Sequence, residues 1–196
     1  MLFYKPQKIA LLRPPKVGTF TATHFLEVCG WKPLGGPHGY LKTYAEKYPN
    51  LLNYKVYCFF RDPLARFESK ILHVKQIPMS GSIFQKIVEE HFPERTVETI
   101  SYEEVTTVYP FLKEKFPLMF SPQVVWFSHP NVYPLDFANI ESELRRISGN
   151  YEAPMLWHNK STDYGRSVIT DKVREFVRDY YAVDYQFAKD VLNKEY

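Results

Sequence analysis

The hydrophobic pattern changes period along the chain, and those changes predict the elements. Residues 54–60 form an apolar run, broken only by Lys55, of aromatic and β-branched side chains, the pattern of a strand covered on both faces of a parallel sheet. The run ends at Arg61-Asp62-Pro63, where Asp62 suits a helix N-cap and Pro63 the first helical position, whose N–H has no intrahelical role. A helix is therefore expected to open at the carboxyl end of this strand, where open α/β sheets place their ligands. An earlier strand is expected over Ile9-Ala10-Leu11-Leu12, closed by Pro14 and Pro15. After a short loop, Phe25, Leu26, Val28 and Cys29 carry a helical apolar pattern that Gly30 stops as a C′ residue.

Further along, 31–40 is irregular and 41–48 reads as a short helix. Residues 76–122 read as a mainly helical insertion, a cover or lid for the sheet. Within it Ser82 is placed to cap 83–88, and Ser101 with Glu104 fits a capping box before Val105, Val108 and Leu112. Gln123-Val124-Val125-Trp126-Phe127-Ser128 has the composition of a third strand and 132–137 that of a fourth. Asn139 is then expected to cap a helix over 140–147 that Gly149 ends. The last segment carries Val173, Phe176, Val177 and Tyr180 at helical spacing, breaks near Ala182, and resumes on Tyr185, Ala188 and Leu192. Strands alternating with helices predict an α/β fold.

Composition narrows the function class. A chain of 196 residues is most simply one domain, and its net charge of +3, without blocks of like charge, argues against nucleic acid as a partner. Cys29 and Cys58 both fall within apolar patterns and read as buried thiols of a reducing compartment. No run approaches membrane-span length and the first residues lack signal-peptide order, so a cytoplasmic protein is expected. The aromatic share of 17% supplies a dense core and leaves rings over for a binding cleft.

Candidate chemistry lies at two strand-to-helix joints. At the first, Lys16-Val17-Gly18-Thr19-Phe20-Thr21 has the plan of a phosphate cradle: N–H groups and dipole of a helix start, a glycine permitting close approach, hydroxyls, and a lysine charge. The spacing G-x-x-x-x-G-K-[ST] is absent, and no Ser or Thr follows the lysine to hold Mg²⁺, which disfavours a metal-dependent NTPase. At the second, Arg61 lies on the sheet edge while Asp62, Arg66 and Ser69 follow on one helical face, guanidinium groups and a hydroxyl suited to a phosphate. The same spacing also fits an ordinary Asp62–Arg66 ion pair. His38 stands in a Gly- and Pro-rich loop, as a turn residue or a base, whereas His24, His73, His91 and His129 suggest no site.

Together these pieces resemble the sulfotransferases that use 3′-phosphoadenosine 5′-phosphosulfate, in particular the Golgi carbohydrate sulfotransferases of the heparan and chondroitin type with their microbial and viral cousins. Pro15-Lys16-Val17-Gly18-Thr19-Phe20-Thr21 is similar to the family's 5′-phosphosulfate loop, and the stretch from Arg61 to Ser69 to its 3′-phosphate motif. Phe137-Ala138-Asn139-Ile140-Glu141 and His158-Asn159-Lys160-Ser161 are weaker echoes, with Ala138 in place of an acidic residue; His38-Gly39-Tyr40 matches the family's His-Gly-His only in part. The resemblance implies a P-loop-NTPase-like parallel sheet of about four to five strands flanked by helices. It implies metal-free, in-line transfer of a sulfuryl group to a hydroxyl of a glycan or small molecule. His38 would be the base and Lys16 would stabilise the leaving phosphate. Lys16, Val17, Gly18, Thr19, Phe20, Thr21, Arg61 and Ser69, with Lys160 and Ser161, would bind the donor nucleotide. A small-molecule kinase of the P-loop class and a non-catalytic nucleotide-binding module remain the alternatives.

Overall fold

The computed structural model describes residues 1–36, 38–76, 78–157 and 168–196. In chain order the first half holds β1 (Leu2–Tyr4), β2 (Ile9–Leu12), α1 (Thr19–Val28), β3 (Lys32–Pro33), α2 (Leu41–Lys47) and β4 (Lys55–Phe60). Next come α3 (Pro63–Gln76), α4 (Pro78–His91), α5 (Tyr102–Lys115) and α6 (Pro117–Phe120). β5 (Val132–Asp136), α7 (Ile140–Ser148), α8 (Asp171–Tyr180) and α9 (Ala182–Leu192) complete the set.

The fold is α/β, with one sheet in the order β3-β1-β2-β4-β5. The expected all-parallel sheet is corrected to a mixed one: β2, β4 and β5 run parallel, whereas β1 pairs antiparallel with both β2 and β3. The antiparallel β1–β2 pair is possible because its connection is a tight turn over Lys5–Gln7 that closes on Lys8 in the left-handed region. β4 sits between β2 and β5 with five of its six residues buried, as its uninterrupted apolar run requires.

Strand alternation sorts the core. Leu11, Tyr57, Phe59 and Leu135 point to one face and pack with Phe25 and Leu26 of α1 and with Ile140 and Leu144 of α7. Ala10, Leu12, Val56 and Cys58 point to the other and meet Leu41 and Tyr44 of α2 and Trp126. A third apolar cluster joins α3, α4, α5 and α8, so the helical insertion packs against α3 and shares a core with it.

Local signals account for several boundaries. The Asp62 carboxylate accepts from the Leu64 N–H at 2.9 Å and caps α3. Ser101 and Glu104 form the reciprocal capping box at α5. α1 ends in a Schellman arrangement on Gly30, with the Trp31 N–H donating to the Leu26 carbonyl at 2.9 Å.

Three sequence expectations are overturned. Gln123–Phe127 is a 3₁₀ turn and not a strand. Its first N–H groups, from Gln123 and Val124, donate to the buried Asp184 carboxylate, and this tertiary cap outweighs the β propensity of the run. α4 begins at Pro78, so Ser82 lies within the helix and does not cap it. Asn139 precedes α7 without a side-chain cap bond; Asp136 accepts from the Ala138 N–H and from the Asn139 side-chain amide. Cys58 is buried and Cys29 half-buried, and both thiols are unpaired. Among the described residues no helix is long and apolar enough to cross a membrane.

Candidate functional site

The site is built on the carboxyl edge of the parallel strands. β2 delivers residues 13–18 to this edge, and the chain turns into α1 through two left-handed residues, Lys16 at φ 67° and Gly18 at φ 70°. Gly18 meets the start of α7: a Cβ there would stand 2.6 Å from Ile140 Cδ1 and 2.8 Å from Phe137 Cε2. Only glycine meets both the backbone and the space demands. The helix start that follows leaves its first N–H groups, beginning at Thr19, without intrahelical acceptors.

The loop is braced from within. The Thr19 hydroxyl donates to the Pro14 carbonyl at 2.9 Å, and the Thr23 hydroxyl to the Thr19 carbonyl at 2.7 Å. Thr19 therefore spends its hydroxyl proton on the loop and offers a ligand its backbone N–H. Val17 is 2% exposed and tucks into the core, Thr21 is buried at the same level, and Phe20 points outward.

Arg61, the first residue beyond β4, reaches back to this loop. Its Nη1 donates to the Lys16 carbonyl at 3.1 Å, and its guanidinium lies over the Phe137 ring at 4.8 Å. The two strand-to-helix joints thus meet at one hydrogen bond. Burial, and secondarily the Arg61 charge, lower the Lys16 ammonium to about 8.

Arg66 is corrected from ligand to scaffold. Its side chain is 1% exposed, and its guanidinium donates to the carbonyls of Pro15, Ser121 and Met119 at 3.4, 3.0 and 3.4 Å. It neither faces solvent nor pairs with Asp62; it ties the loop to α6. Ser69 is 5% exposed. It sits on the α3 face between Arg66, which reaches Pro15, and His73, on which Lys16 and His38 act. That register carries Ser69 on the side of α3 that looks toward the loop.

His38 Nδ1 stands 2.7 Å from the Arg13 carbonyl. A carbonyl only accepts, so Nδ1 carries the proton and Nε2 holds the lone pair. Burial lowers the His38 imidazole below its ordinary value against the opposing effect of that hydrogen bond, and the charges of Arg13, the Met1 amino group and Lys16 lower it further. It is a neutral base at neutral pH. His73 is held at about 4 by burial, then by Lys16 and His38. Among the described residues, Arg13 and Lys16 are cations that act on these rings after burial.

Sequence reasoning missed three members: Arg13, which anchors His38 and donates to the Thr23 hydroxyl at 2.9 Å, Gln123, and His73; Phe137, noted only within a weaker echo, lies beneath Arg61. His73 had a readable signal, since it continues the helical face of Arg66 and Ser69. Lys160 and Ser161 lie outside the described residues. A cleft of about 510 Å³ opens between the start of α7 and Trp157; it adjoins the loop through Ile140 but does not include Lys16, His38 or Arg61.

The chain matches no family model, and no curated protein or solved structure matches it.

Proposed function

We propose that this chain transfers a sulfuryl group from 3′-phosphoadenosine 5′-phosphosulfate to an acceptor hydroxyl. One observation carries the reading: the Arg61 guanidinium donates to the Lys16 carbonyl, so grips suited to the two phosphate ends of one adenosine lie side by side. The residues present fit such a donor. The cradle at Gly18 admits backbone alone, and Lys16, His38 and His73 are lowered first by burial and then by neighbouring cations, a surrounding that an anion would complement. β2, the 14–21 loop and α1, flanked by parallel β4, form a strand–loop–helix unit at the carboxyl edge of the sheet, which supports the reading.

When bound, the donor supplies an activated sulfuryl group. Lys16 and the N–H groups at the start of α1 hold the 5′-phosphate and offset the charge that gathers on it as the acceptor attacks. Arg61 and Ser69 hold the 3′-phosphate. His38, its tautomer set by Arg13, takes the acceptor's hydroxyl proton at Nε2. The acceptor is a hydroxyl on a carbohydrate or another small molecule, and the two unpaired thiols fit a reducing compartment such as the cytoplasm.

Transfer of ³⁵S-sulfate from the labelled donor to a panel of glycans and phenols, in EDTA, tests the reading. Label should pass to at least one hydroxyl acceptor and not in the His38→Ala variant; equal transfer by that variant overturns the base assignment.

A further inference from the structure

Deepening the donor-site reading, and resting on it, we infer that Gln123 is a positioning residue that holds Arg61 where it grips the 3′-phosphate. Arg61 follows the last paired residue of β4, so its peptide groups lie beyond the strand ladder. Gln123 replaces the ladder with its side chain: Oε1 accepts from the Arg61 N–H at 3.0 Å and Nε2 donates to the Arg61 carbonyl at 2.7 Å. A primary amide carries a donor and an acceptor side by side, as a peptide group does, and so meets both at once.

The clamp is itself anchored. Gln123 is 1% exposed, and its backbone N–H donates to Asp184 Oδ2 at 2.8 Å while Val124 donates to Oδ1 at 2.9 Å. Asp184 lies on α9 and is fully buried. Gln123 thus fixes the Arg61 backbone, and the Lys16 carbonyl with the Phe137 ring fixes the direction of its side chain. A residue serving only the core would need no amide aimed at both peptide groups of the one residue from which the guanidinium springs.

The test uses Gln123→Met, which keeps the side chain's length and loses both bonds. Calorimetric affinities for adenosine 3′,5′-bisphosphate and for AMP, which lacks the 3′-phosphate, separate positioning from damage. The variant should bind the bisphosphate about tenfold more weakly and AMP within about twofold of the parent. Gln123→Met added to Arg61→Ala should cost nothing further. Equal losses for the two nucleotides, or no loss for either, overturn the inference.

The Lys16 titration, followed by NMR of labelled lysine, needs no nucleotide. Arg61→Ala should raise it by removing a nearby charge, and Gln123→Met should raise it in the same direction. An unmoved Lys16 in Gln123→Met, beside a moved one in Arg61→Ala, overturns the inference. A parent protein that binds neither nucleotide sinks the donor reading instead, and the lysine titration then decides Gln123 alone.

Discussion

His38 Nδ1 is fastened to the Arg13 carbonyl at 2.7 Å, at the point where β2 gives way to the loop that Gly18 turns. A carbonyl only accepts, so this contact selects the tautomer with Nε2 bare. Because burial and surrounding cations lower the ring's pKa, the neutral base persists further into acid than an ordinary histidine would. The acid limb of the kcat profile is therefore expected below the usual imidazole range. His38→Ala should lose turnover by about two orders of magnitude or more while binding adenosine 3′,5′-bisphosphate unchanged.

If Lys16 holds the 5′-phosphate, as proposed, it should set the alkaline limit of binding. With its ammonium lowered to about 8, the free site loses this charge as pH rises through that value. Affinity for adenosine 3′,5′-bisphosphate, measured by calorimetry from pH 7 to pH 9.5, should fall steadily above about 8 in the parent. The fall should shrink in Lys16→Arg, whose guanidinium stays charged over the range.

Arg61 and Arg66 should part company. Arg66→Met leaves the buried carbonyls of Pro15, Ser121 and Met119 without their donor and should destabilise the protein by about 2 to 4 kcal/mol in urea titrations. Arg61→Ala should cost stability only about 1 kcal/mol, yet weaken nucleotide binding by about 10- to 100-fold. Equal stability losses would contradict the division between ligand and scaffold.

Gly18→Ala combines a left-handed backbone with overlap on Ile140 and Phe137. The strain and the overpacking together predict about 2 to 5 kcal/mol of destabilisation, read from thermal or urea unfolding.

His73 adds an acid-sensitive increment to stability. Its ring titrates near 4 in the fold and from an ordinary value of 6.5 when unfolded. Between those values the unfolded chain binds the extra proton, so stability is lost as pH falls through the window. Since the ring is half-buried, about 1 to 2 kcal/mol is expected, and His73→Gln should flatten the difference between urea midpoints at pH 7 and pH 5.

What the sequence revealed follows from how local each determinant is. The β4–α3 joint was legible because Asp62 and Pro63 encode it in adjacent residues, and the α5 start because Ser101 and Glu104 cap each other. The Lys16-to-Thr21 loop was legible for the same reason. The 3₁₀ turn at Gln123–Phe127 was not, because the carboxylate that caps it comes from Asp184 on α9, far along the chain. Arg66 misled because charge pattern alone suggests a solvent-facing or ligand-facing guanidinium, whereas here three carbonyls from two segments distant in sequence enclose it. β1 and β3, of three and two residues, are too short to announce themselves by periodicity.

One doubly phosphorylated adenosine is proposed to bridge Lys16 and Arg61. Thermal shift in EDTA with adenosine 3′,5′-bisphosphate, AMP and, with magnesium restored, ATP tests it most directly. Tm should rise with the bisphosphate, by more than with AMP or Mg-ATP, and Arg61→Ala should reduce its effect to that of AMP. Stabilisation by Mg-ATP with none by the bisphosphate would contradict it.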